Sequence, residues 1–196
     1  MNENVADSKE YLKRRKSVEK AFEEKELRLD TREETSPCEK YKIIISYLDN
    51  GKGYWDYVKG DILNLETGEN LFTILRNYGT WFSQWIEHQN GNDYLLCGED
   101  YQGYVCLNLT EKKKHVYFPE HGLKGWGFCW IDVQEYDKSF EESIWVEGCY
   151  WGAPFEKVEY DFTSPDELPY KELNRCDLDY EDEDDWDDED DEEDEE

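Results

Sequence analysis

The stretch that decides the fold is Tyr41-Lys42-Ile43-Ile44-Ile45-Ser46-Tyr47-Leu48, a run rich in β-branched and aromatic residues. The glycine-rich segment 49–53 ends this run, and the same composition resumes in residues 57–65 and, after Thr67-Gly68, in residues 70–75. Such runs, bounded by Gly, Asn and Asp, are typical of antiparallel strands joined by tight turns. Residues 41–75 therefore predict three successive β-strands.

The same composition continues to residue 176. Residues 41–176 contain 27 aromatic side chains, and turn residues recur at short intervals among them. Seven further strands are predicted, at residues 80–87, 94–97, 104–109, 115–118, 127–133, 143–149 and 155–162. We therefore predict one mainly β domain, an antiparallel meander of about ten short strands that forms an incomplete propeller or a sandwich-like structure.

A short sequence echo within this domain bears on the choice between those two structures. Residues 63–67, Leu-Asn-Leu-Glu-Thr, recur 44 residues later as residues 107–111, Leu-Asn-Leu-Thr-Glu, and residues 160–164 are a looser third copy. A period in the mid-forties with about four strands per unit is typical of propeller blades. Only about three units fit, whereas closed propellers have four to eight blades. Three units could form an incomplete fan, a barrel-like sandwich or part of an assembly that a second chain completes. The echo has a simpler explanation as well, because any β-meander produces similar repeats of a strand followed by a turn.

Residues 1–40 are predicted to form a charged helix and a linker. No Pro or Gly interrupts residues 7–29, and the apolar residues on one side of this helix are Tyr11, Val18, Phe22 and Leu29. Residues 31–39, which include Ser36-Pro37, are predicted to be the linker. The helix carries a basic patch that consists of Lys13, Arg14, Arg15 and Lys16. This patch fits a nuclear-import signal, a nucleic-acid contact, a docking site for the acidic tail or simply an exposed helix face. We favour the exposed helix face.

Residues 177–196 form an acidic tail of seventeen carboxylates interrupted only by Leu178, Tyr180 and Trp186. Such a segment buries little apolar surface, so we predict that it is disordered and that it attracts basic partners or maintains solubility. The formal charge is −29, and residues 1–176 still carry 34 acids against 22 bases. We therefore expect a protein partner, possibly a basic one, and we leave self-association open. Membrane and nucleic-acid binding are disfavoured.

The six cysteines are scattered without any C-x-x-C spacing, and no apolar leader or membrane span is visible. This usage indicates a reduced, cytoplasmic protein, or a nuclear one if the source is eukaryotic. We expect no cofactor and no zinc site. The cysteines within apolar strands are instead predicted to be packed core residues: Cys97, Cys106, Cys129 and Cys149.

The candidate ligand or interaction surface lies between residues 85 and 101, with one further residue at 151. Carboxylates and an imidazole within fourteen positions could hold a divalent cation or act as acid and base. Their spacing matches no established metal loop, and turn chemistry or a backbone hydrogen bond explains several of them, so we assign no metal ligand and no catalytic residue. The surface residues are Trp85, Glu87, His88, Asp93, Glu99, Asp100, Tyr101 and Trp151.

Aromatic rings beside carboxylates and amides can also form a sugar-stacking or peptide-binding face. The rings considered for this role are Trp85, Tyr101, Trp126, Trp130 and Trp151. Because Leu and Ile are few, we expect most rings to be core, including Trp130 and Trp145. Tyr101 and Trp151 are the expected exceptions, since both lie in glycine-bounded loops.

Residues 85–103, together with Gly127-Phe128-Cys129-Trp130 and Gly148-Cys149-Tyr150-Trp151, carry a recognisable pattern. The chain resembles a family of small uncharacterised β-rich proteins with a W-x-E-H-x-N-G-x-D-Y-L-x-C-G-x-D-Y-Q-G core and later G-F-C-W and G-C-Y-W motifs. The resemblance covers about residues 41–170. It implies a shared fold and no particular activity.

No nucleophile elbow, phosphate loop, metalloprotease helix or dinucleotide fingerprint is present in the sequence. We favour a non-enzymatic protein-interaction or structural β-domain whose acidic tail tunes binding to basic partners and solubility. One alternative is a small-ligand-binding or hydrolytic module centred on the cluster from Glu87 to Asp100. A second alternative is an acidic DNA mimic or histone-binding protein.

Overall fold

The fold is described by a computed structural model, which covers residues 7–23, 26–49, 56–77, 79, 81–98, 104–117, 128–137, 142–150, 155–168 and 170–178. Within these residues a helix precedes three four-stranded antiparallel sheets. The helix is α1 (Lys9–Glu23), and sheet 1 comprises β1 (Glu26–Thr35), β2 (Tyr41–Asp49), β3 (Tyr57–Asn64) and β4 (Asn70–Arg76). Sheet 2 comprises β5 (Ser83–Glu87), β6 (Asp93–Cys97), β7 (Tyr104–Asn108) and β8 (Lys113–Tyr117). Sheet 3 comprises β9 (Phe128–Asp137), β10 (Ser143–Tyr150), β11 (Phe155–Asp161) and β12 (Glu172–Leu178).

Each sheet is a simple meander in which neighbouring strands follow one another in the chain. The predicted mainly β meander is confirmed, and each of the ten predicted strands overlaps a strand of the structure. Two strands, β1 and β12, were not predicted. The helix ends at Glu23, and β1 occupies residues that we predicted to be helix and linker. Strand β12 likewise includes Asp177 and Leu178, which we assigned to the acidic tail. The rest of that tail, residues 179–196, lies outside the described residues.

The three sheets form a three-layer stack in which sheet 2 lies between sheets 1 and 3. All five residues of β6 are buried, since Leu95 and Cys97 pack against sheet 1 while Tyr94 and Leu96 pack against sheet 3. Successive side chains of a strand point to opposite faces, so a strand covered on both sides needs an apolar residue at nearly every position. The apolar run at residues 94–97 of β6 therefore reflects the place of this strand between two other sheets.

Two hydrophobic cores fill the spaces between the layers. The core between sheets 1 and 2 is built around Ile43, Ile45, Val58, Ile62, Ile74, Leu95, Val105, Leu107 and Val116. The core between sheets 2 and 3 is built around Ile86, Tyr94, Leu96, Cys106, Ile144, Val146, Val158 and Phe162. The predicted core residues Cys97 and Cys106 are both buried, on opposite faces of sheet 2.

Helix α1 packs through the apolar stripe that the sequence predicts. Tyr11, Val18 and Phe22 are buried, and the last two form a cluster with Leu48 of sheet 1 against which Tyr57 and Leu75 also pack. Leu29, the fourth predicted member of the stripe, belongs to β1 instead. Alternation along β2 and β3 places Leu48 and Tyr57 on the face of sheet 1 that points away from sheet 2. The helix thus covers one end of that outer face.

The sequence echo corresponds to one turn that occurs in all three sheets. The third strand of each sheet ends at Asn64, Asn108 or Asp161, and the side-chain oxygen of that residue accepts a backbone N–H two or three residues later. These are Asx turns, in which Asn or Asp replaces a backbone acceptor. Each residue also occupies a similar register, opposite the first or second residue of the second strand: Tyr41, Tyr94 and Ser143.

The residue that directly follows the Asn or Asp of each Asx turn makes an equivalent backbone bond. The N–H groups of Leu65, Leu109 and Phe162 donate to the carbonyl oxygens of Lys40, Asp93 and Glu142, at 2.8, 2.9 and 2.9 Å. In each case the acceptor lies at or directly before the start of the second strand of the same sheet. The three sheets therefore share one local architecture at this end.

Candidate functional site

The described part of the candidate surface lies at the β5–β6 turn, where turn chemistry fixes the backbone. Gly91 has a φ of 88°, a conformation that Gly adopts without steric cost. The side chain of Asn90 accepts the N–H of Asn92 at 2.9 Å, and the N–H of His88 donates to the carbonyl of Asn92 at 3.1 Å. The turn explains why Asn90 and Gly91 occur here without any ligand.

His88 is buried between sheets 2 and 3. Its Nδ1 accepts the N–H of Asn90 at 3.1 Å, so the hydrogen bonds assign the ring proton to Nε2. Nε2 lies 2.9 Å from the carbonyl oxygen of Phe162 and 2.9 Å from Oε2 of Glu142. Because both ring nitrogens are engaged, His88 joins two sheets and has no nitrogen left for a metal ion.

Glu142 is the partner of this turn in sheet 3, and it was not identified from the sequence. Its carboxylate is buried, with Oε1 accepting the N–H of Gln89 at 3.0 Å and Oε2 facing His88. Its own carbonyl accepts the N–H of Phe162, as described above. Glu142 therefore connects the β5–β6 turn of sheet 2 to the start of β10 and the end of β11.

A second carboxylate, Asp166, gathers polar side chains from three strands of sheet 2. The hydroxyl of Tyr94 donates to Oδ2 at 3.0 Å, and Nδ2 of Asn108 donates to both oxygens, at 3.2 and 3.0 Å. Nε2 of His115 lies 2.8 Å from Oδ1. Burial raises the pKa of Tyr94 to about 12, so this phenol stays protonated and donates at neutral pH. Asp166, which was also not identified from the sequence, lies between β11 and β12 and is the centre of a polar link between sheets 2 and 3.

Asp93 lies on the opposite side of sheet 2. Its Oδ2 accepts a hydrogen bond from Nζ of Lys40 at 2.8 Å, and its N–H donates to the hydroxyl oxygen of Thr110 at 2.9 Å. The hydrogen bond and charge of Asp93 raise the pKa of Lys40, while burial is the main cause of the raised pKa of Tyr41 beside it. Asp93 thus contacts sheet 1, whereas His88 contacts sheet 3.

The described members of the predicted surface therefore do not share one pocket. Glu87 is exposed at the end of β5, and Trp85 is partly buried against the core between sheets 1 and 2. Glu99, Asp100, Tyr101 and Trp151 lie outside the described residues. Among the described side chains, no group of three or more His, Cys, Asp or Glu residues is placed to hold a metal ion.

Of the other aromatic candidates, Trp126 lies outside the description, and so does the side chain of Trp130 in β9. Trp145, which we expected in the core, is only partly buried. Its neighbours Ile144 and Val146 face sheet 2, so alternation places Trp145 on the outer face of sheet 3. Nζ of Lys157 lies 5.1 Å from the centre of its ring.

The predicted basic patch on α1 is divided by the docking of the helix. Arg15 is buried, and its Nη2 donates to the carbonyl oxygen of Leu75 at 2.6 Å. Lys13 and Lys16 are exposed, and Arg14 is partly buried. Our interpretation of these four residues as an exposed helix face is therefore wrong for Arg15, because its guanidinium holds the helix against sheet 1.

Comparison with known proteins supplies one relative. The chain is 29% identical over 155 residues, 77% of its length, to an uncharacterized protein of Acanthamoeba polyphaga mimivirus. The aligned part spans 59% of that relative. No protein-family model matches the chain, and no solved structure matches it. Similarity to an uncharacterised protein agrees with the resemblance drawn from the sequence, whose motifs stay a prediction.

The described residues contain no helix that is long and apolar enough to cross a membrane.

Proposed function

We propose that this chain is a non-enzymatic protein-interaction scaffold, in which a rigid stack of sheets presents an acidic C-terminal segment to a basic protein partner. The observation that carries the proposal is that polar residues in and beside the candidate cluster form hydrogen bonds from one sheet to the next. His88, Asp93 and Asp166 all bond to neighbouring sheets. Groups that join layers in this way stabilise the scaffold and are not presented to a substrate.

Three successive four-stranded meanders packed face to face are also the arrangement of neighbouring propeller blades. On this proposal the chain is an incomplete propeller that binds other proteins through its loops and through the parts of its end faces that α1 does not cover. A cytoplasmic setting belongs to the same proposal, because six cysteines without paired spacing suit a reducing compartment.

The acidic segment supplies the attraction for the partner. Residues 179–196 contain sixteen carboxylates and no basic residue. Dense charge of one sign attracts the opposite charge over about one Debye length, roughly 8 Å at physiological ionic strength. We therefore expect the affinity for basic partners to fall steeply as salt is added.

The test is fluorescence anisotropy of a labelled lysine-rich peptide titrated with the full chain and with a chain that ends at Leu178. This endpoint keeps β12 intact, since that strand includes residue 178. A matched control replaces residues 179–196 by a Gly/Ser segment of equal length. We expect both altered chains to bind the peptide at least about tenfold more weakly than the full chain, a loss of about 1.4 kcal/mol. Equal binding by all three chains would contradict the proposal.

A further inference from the structure

The two interior interfaces of the stack are assembled from the same two halves. One half comes from the second strand of a sheet, where Ile43 of sheet 1 and Leu96 of sheet 2 occupy the same register position and are fully buried. The other half comes from the next sheet, where Leu109 and Phe162 lie in the Asx turn, directly after Asn108 and Asp161, and are 2% and 0% exposed. We call these the strand half and the turn half.

Among the described residues, one half of each kind has no partner half, and the two lie at opposite ends of the stack. Leu65, the equivalent of Leu109 and Phe162, belongs to sheet 1 and is 45% exposed. It borders an open cleft of about 450 Å³ that Glu39, Lys40, Tyr41, Asn64 and Glu66 also line. We call this cleft the Leu65 site.

The open strand half belongs to sheet 3. Trp145 has the register position of Ile43 and Leu96, yet it lies partly exposed on the outer face. Its neighbours on that face are polar, since Lys157 stacks on the ring at 5.1 Å and Ser143 donates to Glu159 at 2.8 Å. We call this surface the Trp145 face.

We propose that a second copy of this chain binds head to tail, with the Trp145 face of one copy against the Leu65 site of the other. The argument is internal repetition: among the described residues, Ile43 and Leu109 share one buried cluster and Leu96 and Phe162 share the other, whereas the equivalent residues Leu65 and Trp145 lie at the two outer sheets. A contact between unlike surfaces of identical chains is heterologous, so it can link copies into a ring or a row. The proposal rests on the scaffold function and deepens it.

Helix α1 restricts where the second copy can lie. It covers the end of the outer face of sheet 1 that contains Leu48, Tyr57 and Leu75. Leu65 lies at the other end, where β3 ends and β2 begins. Trp145 is the third residue of β10 and therefore lies at the corresponding end of sheet 3. The two open halves can thus meet without displacing the helix.

The chemistry of the two surfaces predicts a weak and reversible contact. Both are largely polar, and interfaces with a small apolar centre are typical of transient association. Two chains of formal charge −29 also repel each other. Salt screens this repulsion, so self-association should strengthen as the ionic strength rises.

The test is sedimentation velocity of the full chain over a concentration series at high ionic strength. We expect wild type to shift from monomer to larger species. Leu65→Asp and Trp145→Ala, each alone, should lower the association constant at least about tenfold, as loss of a central contact residue does. Leu12→Asp is the matched control, because Leu12 is 46% exposed on α1 and the same charge is added. This variant should associate as wild type does.

Mixing the two variants gives the decisive result. A Leu65→Asp chain keeps its Trp145 face, and a Trp145→Ala chain keeps its Leu65 site. An equimolar mixture should therefore form heterodimers at concentrations at which neither variant alone associates detectably, which also shows that both variants are folded. A wild type that stays monomeric, or a mixture that stays monomeric, would overturn the proposal. Lysine-rich peptide binding, measured on the same variants, reports on the scaffold function separately.

Discussion

At the scale of single residues, His88 shows how far the sequence leads. A histidine close to a Trp in the sequence is expected to bond to a backbone group, and the structure has two such bonds, with Asn90 and Phe162. The sequence could not identify Glu142 or Asp166 as partners. Gln89 and Glu142 are 53 positions apart, and Tyr94 and Asp166 are 72 apart. Contacts at this separation depend on how the sheets stack, which no local pattern encodes.

Tyr94→Phe tests the polar link between sheets 2 and 3. The change removes a hydroxyl that donates to Asp166 and accepts from Asn90 at 2.9 Å. We expect the free energy of unfolding in urea to fall by about 1–3 kcal/mol, the usual cost when partly buried groups lose a hydrogen-bond partner. The matched control is Tyr47→Phe, which removes the same hydroxyl from a ring that is partly buried against the core between sheets 1 and 2. An effect of Tyr94→Phe no larger than that of the control would contradict this assignment.

The stabilisation that the Tyr94 hydroxyl provides should also depend on pH. The pKa of Tyr94 is about 12 in the folded chain and 10.0 as the ordinary value. A raised pKa means that folding favours the neutral phenol, so this stabilisation is complete below about pH 10 and is lost as the pH rises towards 12. The stability difference between wild type and Tyr94→Phe should therefore shrink across that range.

At the scale of elements, the predicted strands are those with a strong β composition, and the two that were missed are charged. Strands β1 and β12 are Glu-Leu-Arg-Leu-Asp-Thr-Arg-Glu-Glu-Thr and Glu-Leu-Asn-Arg-Cys-Asp-Leu. Both are edge strands of their sheets. Charged side chains on an edge strand discourage pairing with other molecules, and they also hide the strand from a search for apolar residues. The helix boundary was wrong for the same reason, since charged residues continue from α1 into β1.

Helix α1 should contribute to stability through one face only. Phe22→Ala removes a buried ring that lies 5.1 Å from the ring of Tyr57, centre to centre, and packs in the cluster with Leu48. We expect a loss of about 3–5 kcal/mol of unfolding free energy, measured by urea denaturation. Leu12→Ala, at an exposed position of the same helix, should change it by less than about 0.5 kcal/mol. Similar losses for both variants would mean that the helix does not dock as described.

At the scale of the whole molecule, the account depends on sheet 2 lying between the other two sheets. The sequence predicts most of the strands and their order but not this stacking, although the apolar run at residues 94–97 of β6 is a signal for it. The stack explains why the candidate cluster divides, with His88 directed to sheet 3 and Asp93 to sheet 1. The stack also has two outer sides, on sheet 1 and sheet 3, and these carry the Leu65 site and the Trp145 face through which copies of the chain are proposed to bind each other.

Thiol labelling tests the middle position of sheet 2 most directly, because Cys97 faces sheet 1 and Cys106 faces sheet 3. The native chain is treated with N-ethylmaleimide, and each cysteine is followed by peptide mass spectrometry. Exposed Cys176 should react quickly, whereas Cys97 and Cys106 should both stay protected until urea unfolds the chain. Burial also raises the pKa of the Cys106 thiol, which slows its reaction further. Labelling of either Cys97 or Cys106 in the native chain at the rate of Cys176 would contradict the three-layer stack.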